Sequence, residues 1–176
     1  MISIIVAIDQ QDAIGYSNQL LCHLPNDLKR FKQLTTGKTV VMGRKTWDSL
    51  PVKPLPNRKN VVLSKDIKDN ITICYYDKTL LFQDIDDVFL YIRGIESIDT
   101  QEEIFIIGGR QIYELFLPHA NKLYLTQIYH KFENVDTYFP LDKNELILDW
   151  KCIEFLENQK DEKHLYDYAF KTFVRR

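Results

Sequence analysis

Thr39-Val-Val-Met-Gly-Arg-Lys-Thr-Trp-Asp-Ser-Leu-Pro51 decides the fold. Thr39–Met42 is a short, β-branched and apolar run, the mark of a strand buried on both faces. Gly43 closes it, Lys45–Leu50 reads as a short helix, and Pro51 stops that helix. The same strand–glycine–helix order returns at Ile104–Ile107, where Gly108-Gly109 leads into a helix that runs to about Phe116 and stops before Pro118. Further buried strands are expected at Ile2–Ile8, Asn60–Ser64, Ile71–Tyr76 and Lys122–Ile128. Helices are expected at Asn26–Thr35 and Ile85–Ile92. The segments Asp9–Leu21, Asp66–Asn70 and Glu96–Glu103 read as loops. Near the end, Lys151–Glu157 and His164–Val174 alternate with period two around a polar connection, which is a hairpin signature.

Short buried strands alternating with helices indicate an α/β fold: a central, mostly parallel twisted sheet flanked by helices, with an antiparallel C-terminal hairpin at one edge. At 176 residues the chain suits a single domain, 1–176. Hydrophobic content of 45% and charged content of 27% are ordinary for a globular protein, and no apolar run approaches a membrane span. Cys22, Cys74 and Cys152 form neither a metal-binding spacing nor a disulfide framework, so reduced thiols, a cytoplasmic location and no bound metal are expected. A net charge of −2 argues against nucleic acid as a partner. The charge is unevenly spread. Residues 1–68 carry 11 Lys/Arg against 5 Asp/Glu, and residues 69–176 carry 12 against 20. That asymmetry suits a small anionic ligand held mainly by the first half.

Four segments carry chemistry. In His23-Leu-Pro-Asn-Asp-Leu-Lys-Arg-Phe31, Pro25 is placed for a first helical turn, and Leu24, Leu28, Phe31 and Leu34 recur at helical spacing as one buried stripe. Asp27 shares the edge of that stripe, where a carboxylate is costly unless something polar needs it. The plainer alternative is that Asn26 and Asp27 only favour the helix start. Gly108-Gly109 before a helix offers close backbone approach and open N–H groups to a pyrophosphate, although ordinary strand–helix turns also use glycine. Arg44 and Lys45 follow Gly43 at a helix start, where cations are slightly disfavoured, and with Ser64 and Lys65 they can hold a phosphate monoester. Arg58 follows the stiff Pro54-Leu-Pro56, and a preorganised guanidinium takes a carboxylate in two parallel hydrogen bonds; otherwise it is a surface arginine.

Eight segments occur in one order: Met-Ile-Ser-Ile-Ile-Val-Ala at the start, Ala13-Ile-Gly15, Leu24-Pro-Asn-Asp-Leu28, Val41-Met-Gly-Arg-Lys-Thr-Trp47, Pro54-Leu-Pro-Asn-Arg58, Ile107-Gly-Gly109, Leu123-Tyr-Leu-Thr126 and Asp136-Thr-Tyr-Phe-Pro140. Together they make the whole chain resemble dihydrofolate reductase of the single-domain bacterial type. The resemblance implies reduction of 7,8-dihydrofolate to tetrahydrofolate with NADPH, by hydride transfer to C6 and protonation at N5, in a monomer. It places Asp27 on the 2-amino and N3 edge of the pterin, with Thr126 in the same polar pocket. It makes Ile5, Val6, Leu28, Phe31, Leu50, Leu55 and Ile107 walls of the substrate cleft, sets Tyr113 beside the nicotinamide, and gives Arg58 the glutamate α-carboxylate. It brings Ala7, Ile14, Gly15, Gly43, Arg44, Lys45, Thr46, Leu63, Ser64, Lys65, Gly108, Gly109, Arg110, Gln111 and Ile112 to the cofactor. For the apolar members, plain core packing is the alternative.

Three positions depart from the family's pattern. Cys22 stands where a tryptophan is usual, so vacated space beside the pterin should hold water or be closed by the loop. Val135 precedes Asp136 where many bacterial members have glycine, which should restrict that loop. Gln111 stands where some members have an arginine near the adenosine 2′-phosphate, so NADPH preference should rest on Arg44, Ser64 and Lys65. Two rivals remain at this stage. A reductase of the riboflavin-synthesis type needs a ribityl phosphate site in place of Asp27 and Arg58, and a catalytically silent folate- or nucleotide-binding protein is suggested only by Cys22.

Overall fold

The structure is a computed structural model that describes residues 1–65 and 79–176. Its strands are β1 (Ile2–Ile8), β2 (Ala13–Gly15), β3 (Thr39–Gly43), β4 (Lys59–Leu63), β5 (Thr79–Phe82), β6 (Ile104–Ile106), β7 (Lys122–Ile128), β8 (Thr137–Tyr138), β9 (Trp150–Asn158) and β10 (Tyr168–Arg175). The helices are α1 (Pro25–Thr35), α2 (Arg44–Ser49), α3 (Ile85–Ile98), α4 (Arg110–Phe116) and α5 (Lys143–Asp149), with a 3₁₀ turn at Leu117–His119.

Eight strands form one sheet in the order β5-β4-β3-β6-β1-β7-β10-β9. The six strands from β5 to β7 are parallel, and β10 and β9 add antiparallel at the edge. Register explains why these strands read as continuous apolar runs. Val61, Val41, Ile106, Ile4 and Leu123 lie side by side across five strands, and all five are fully buried. Helices cover both faces, so neither set of alternating side chains meets water. One face packs Ile4, Val6, Val41 and Ile106 with Val88 and Ile92 of α3 and Phe116 of α4. The other packs Ile5, Val40, Met42, Phe105 and Tyr124 with Phe31 and Leu34 of α1.

The expected fold class is the one observed. Several local expectations need correction. The segment Glu96–Glu103 is not wholly loop, because α3 continues to Ile98; Asp84 caps its start by accepting from the Asp86 N–H. The second hairpin strand begins at Tyr168 rather than His164: a tight bridge between Asp161 and His164 turns the chain first. The stretch 9–21 is not all loop. Ala13–Gly15 pairs with Thr137–Tyr138 as a small second sheet. Helix α5 adds an element to the expected set; Asp142 and Glu145 are spaced as a helix start, and Asp142 accepts from the Asn144 N–H. The expected strand Ile71–Tyr76 and loop Asp66–Asn70 lie outside the described residues. Among the described residues, no helix is long and apolar enough to cross a membrane.

Candidate active site

The parallel strands bring their carboxyl ends to one side, which is where open α/β sheets bind ligands. Gly43 ends β3, Ile107–Gly109 follows β6, and Ala7 lies near the end of β1. The Gly43 N–H donates to the Gly108 carbonyl at 2.8 Å, joining the two strand–glycine–helix turns. The peptide between Gly108 and Gly109 is cis. Gly108 has φ +99°, and a Cβ there would sit 2.8 Å from ring atoms of Tyr113, so only glycine fits. A Cβ on Gly43 would come within 3.0 Å of Ile112 Cγ1. Helices α2 and α4 thus start at glycines with no side-chain cap, leaving their first N–H groups without a side-chain acceptor.

Asp27 lies in the first turn of α1 and is partly buried. The Thr126 hydroxyl on β7 donates to its Oδ1 at 2.6 Å. Burial pushes the Asp27 carboxyl above the usual carboxylate range, against the opposing pull of the Thr126 hydrogen bond and of Arg30. Tyr113 of α4 is buried near it and donates to the Ile5 carbonyl at 2.9 Å; burial and the Asp27 charge push its phenol well above its ordinary value. Thr126, Asp27, Ile5 and Tyr113 therefore form one polar corner in an apolar cleft. A carboxyl held this way can hydrogen-bond an amidine-like ring edge and keep a proton nearer neutrality than a free aspartate does.

The residues expected as walls divide between the two faces of the sheet. Ile5 packs with Phe31, Leu50, Leu55 and Ile107 on the α1 face of the sheet. Val6 does not join them. Successive strand side chains alternate, so Val6 packs on the opposite face with Ile4 and Ile106. The α1 stripe is also less buried than its spacing predicts. Leu28 is 41% exposed, because this part of the helix lines an open cleft rather than the core.

Arg58 is only 5% exposed. Its Nε donates to Thr35 Oγ1 at 2.8 Å, one terminal nitrogen donates to the Pro56 carbonyl at 2.9 Å, and the guanidinium lies 5.4 Å from the Phe31 ring centre. Among the described residues no carboxylate pairs with it. Sequence reasoning missed its supports. Thr35 anchors the guanidinium, and buried Asn60 holds the loop by accepting from the Leu55 N–H and donating to the Leu55 and Arg58 carbonyls. An asparagine inside an otherwise apolar strand is the signal that could have found it.

The remaining expected cofactor residues flank the glycine turns. Thr46 and Gly109 approach closely, with Thr46 Oγ1 3.4 Å from where a Gly109 Cβ would lie. Lys45, Lys65 and Gln111 are exposed, Leu63 is partly buried, and Ser64 is buried at the end of β4. Arg44 pairs with Asp48 at 2.9 Å and Arg110 with Glu114 at 2.7 Å. The loop after β2 closes over this side: Asn18 donates to the Lys45 carbonyl, and Asp136 accepts from the Ser17 N–H. Ala7, Ile14, Leu20, Leu21, Cys22, Leu24, Asp27, Leu28 and Ile128 line a cavity of about 30 Å³. It has room for a water but not for an indole. Burial and the Asp27 charge push the Cys22 thiol up to about 11.

The family model described as "Dihydrofolate reductase" matches residues 1–175. The chain is 39% identical to a dihydrofolate reductase of Bacillus subtilis over 177 aligned positions, covering 100% of this chain and 95% of that protein. It is 40% identical to one of Staphylococcus aureus, covering 99% and 98%. Among solved structures it is similar to dihydrofolate reductase from Enterococcus faecalis complexed with NADP(H) and RAB-propyl, with TM-score 0.83, 32% identity, and coverage of 100% of this chain and 96% of that one.

Proposed function

The chain belongs to the dihydrofolate reductase family, and from that membership and the geometry above we propose that one domain, residues 1–176, reduces 7,8-dihydrofolate to tetrahydrofolate with the site residues named here. The observation that carries the reading is the Asp27–Thr126 pair, set in an apolar cleft near Tyr113, whose ring lies against Gly108. A nicotinamide dinucleotide fits those turns: Gly43, Gly108 and Gly109 keep the surface free of side chains, and the uncapped N–H groups of α2 and α4 suit phosphates.

NADPH, when bound, supplies the hydride that goes to C6. Gly43, Thr46, Gly108, Gly109 and Ile112 would hold its central part. Arg44, Lys45, Ser64 and Lys65 would take the 2′-phosphate, flanked by Leu63, Arg110 and Gln111. Ala7, Ile14 and Gly15 would border the nicotinamide. Asp27 holds the pterin by its 2-amino and N3 edge and keeps a proton available for N5, with Thr126 fixing the carboxyl's direction. Ile5, Phe31, Leu50, Leu55, Ile107 and Leu28 exclude water from the rings. Arg58 anchors the glutamate α-carboxylate, far from the reacting atoms. Most of the rate then comes from positioning.

The family resemblance carries the expectation that the protein acts as a monomer. The free thiols Cys22 and Cys152 support a cytoplasmic location. Oxidation of NADPH by purified protein, followed spectrophotometrically with and without dihydrofolate, tests the reading. Dihydrofolate-dependent oxidation is expected. Its absence in folded protein that still binds folate would favour the silent-binder alternative.

A further inference from the structure

Helix α1 begins without a cap of its own. Leu24 stands at the N-cap with no side-chain hydrogen bond to offer, and Pro25 has no N–H, so the Asn26 N–H is the first open donor of the helix. Its acceptor comes from the hairpin connection, 138 residues away: His164 Nε2 lies 3.2 Å from the Asn26 nitrogen. The His164 side chain is only 4% exposed. Its Nδ1 is 2.7 Å from Asp161 Oδ1. That carboxylate also accepts from the Lys163 and His164 N–H groups, and the hydrogen bond with the His164 ring, followed by these backbone bonds, holds it below the usual carboxylate range. An ionised acceptor at Nδ1 places the ring proton there and leaves the Nε2 lone pair aimed at α1. The Asn26 side chain is fixed in turn by donating to the buried Tyr168 hydroxyl at 2.7 Å.

We propose that His164 is a positioning residue for the reaction: its Nε2 caps α1 at Asn26, fixes the first helical turn, and so holds the next residue, Asp27, against Thr126. Nothing in the reaction above requires His164 to touch substrate or cofactor. Its role is carried by one backbone hydrogen bond next to the carboxyl that does the chemistry. The inference rests on the assignment of Asp27 to the pterin. The groups that face Asp27 are Arg30 on its own helix, Thr126 on β7, Tyr113 on α4 and Cys22 on the preceding loop. Those that face His164 are Asp161, Asn26 and Tyr168, whose ring centre is 5.4 Å away.

The test compares wild type with His164→Ala and His164→Gln, whose amide oxygen can take the place of Nε2. Three quantities are read: amide exchange at Asn26, the single-turnover rate of dihydrofolate reduction at neutral pH, and its pH profile. In His164→Ala the Asn26 amide should exchange faster and the rate should fall on the order of 10-fold, less than the ~10²–10⁴-fold that an acid–base group itself contributes, because Asp27 is loosened and not removed. The profile should move toward lower pH, because a loosened first turn lets water reach Asp27 and relieves the burial that raises it. His164→Gln should restore all three. Asp161→Ala, at an exposed position, should shift the profile the same way if His164→Ala fails to fold. A folded His164→Ala with the wild-type rate and profile overturns the proposal, as does a Gln variant no better than Ala. Asp27→Asn measured in parallel separates the two readings. If it abolishes the pH-dependent step while His164→Ala does not alter it, only the His164 role falls; if its own profile is unchanged, the Asp27 assignment falls and the His164 role with it.

Discussion

Asp27→Asn should trade activity for stability, and the trade should depend on pH. The change keeps the side chain's shape and its contact with Thr126 but removes the proton carrier. Loss of an acid–base group costs about 10²–10⁴-fold in rate, equivalent to about 3–5 kcal/mol of barrier. Stability should move the other way. Burial raises the folded-state pKa of Asp27 above its value in the unfolded chain, and burial outweighs the Thr126 hydrogen bond and the Arg30 charge. The folded protein therefore binds that proton more tightly than the unfolded one. Wild type keeps the associated stability below the ordinary carboxylate pKa and loses it as pH rises through the raised value. The asparagine variant has no such loss. Denaturation curves of the two proteins should coincide in acid and separate toward neutral pH, with the variant more stable. The assays are single-turnover dihydrofolate reduction and chemical denaturation across pH. Near-normal turnover of the variant at pH 7 would refute the catalytic assignment. A variant no more stable than wild type at pH 7 would refute the claim that burial dominates at this carboxyl.

Arg58→Leu should raise the KM for dihydrofolate far more than it lowers kcat, by about 2–5 kcal/mol of binding, since the contact is remote from the reacting atoms; equal damage with a pteridine lacking the glutamate tail would remove Arg58 from that role. Arg44→Ala should weaken NADPH binding while barely changing NADH, and titration with both cofactors measures the difference; the exposed ion pair it forms with Asp48 is worth only about 0–1 kcal/mol and does not mask the effect. Gly108→Ala combines a positive φ with a Cβ 2.8 Å from the ring of buried Tyr113, and should cost about 2–5 kcal/mol of stability by denaturant titration. Cys22→Trp meets a cavity of about 30 Å³, so Leu20 and Leu21 must yield to an indole. Its Tm should fall, with a cost of about 1–3 kcal/mol, and an unchanged Tm would mean the loop rebuilds freely.

Periodicity and punctuation made most of the architecture legible. Unbroken apolar runs such as Val40–Met42 and Ile4–Ile8, each ended by glycine or a polar turn, carry the parallel sheet in their composition, because a strand covered on both faces has no polar side to show. Ordered short motifs marked Asp27, Arg58 and the glycine turns in the same way, since a carboxylate on an apolar stripe or two glycines before a helix are locally costly choices. What the sequence could not contain is which of these residues meet. The Thr126–Asp27 hydrogen bond spans 99 residues, the Asn26–His164 contact 138, and the support of Arg58 by Thr35 joins two elements that no local pattern connects. Strand alternation decided that Val6 faces away from the cleft while Ile5 faces into it, and the openness of the cleft left Leu28 exposed despite its helical spacing. Local physics selects elements residue by residue. The direction of a side chain, the water it loses and the partner that accepts its hydrogen bond exist only once those elements have packed.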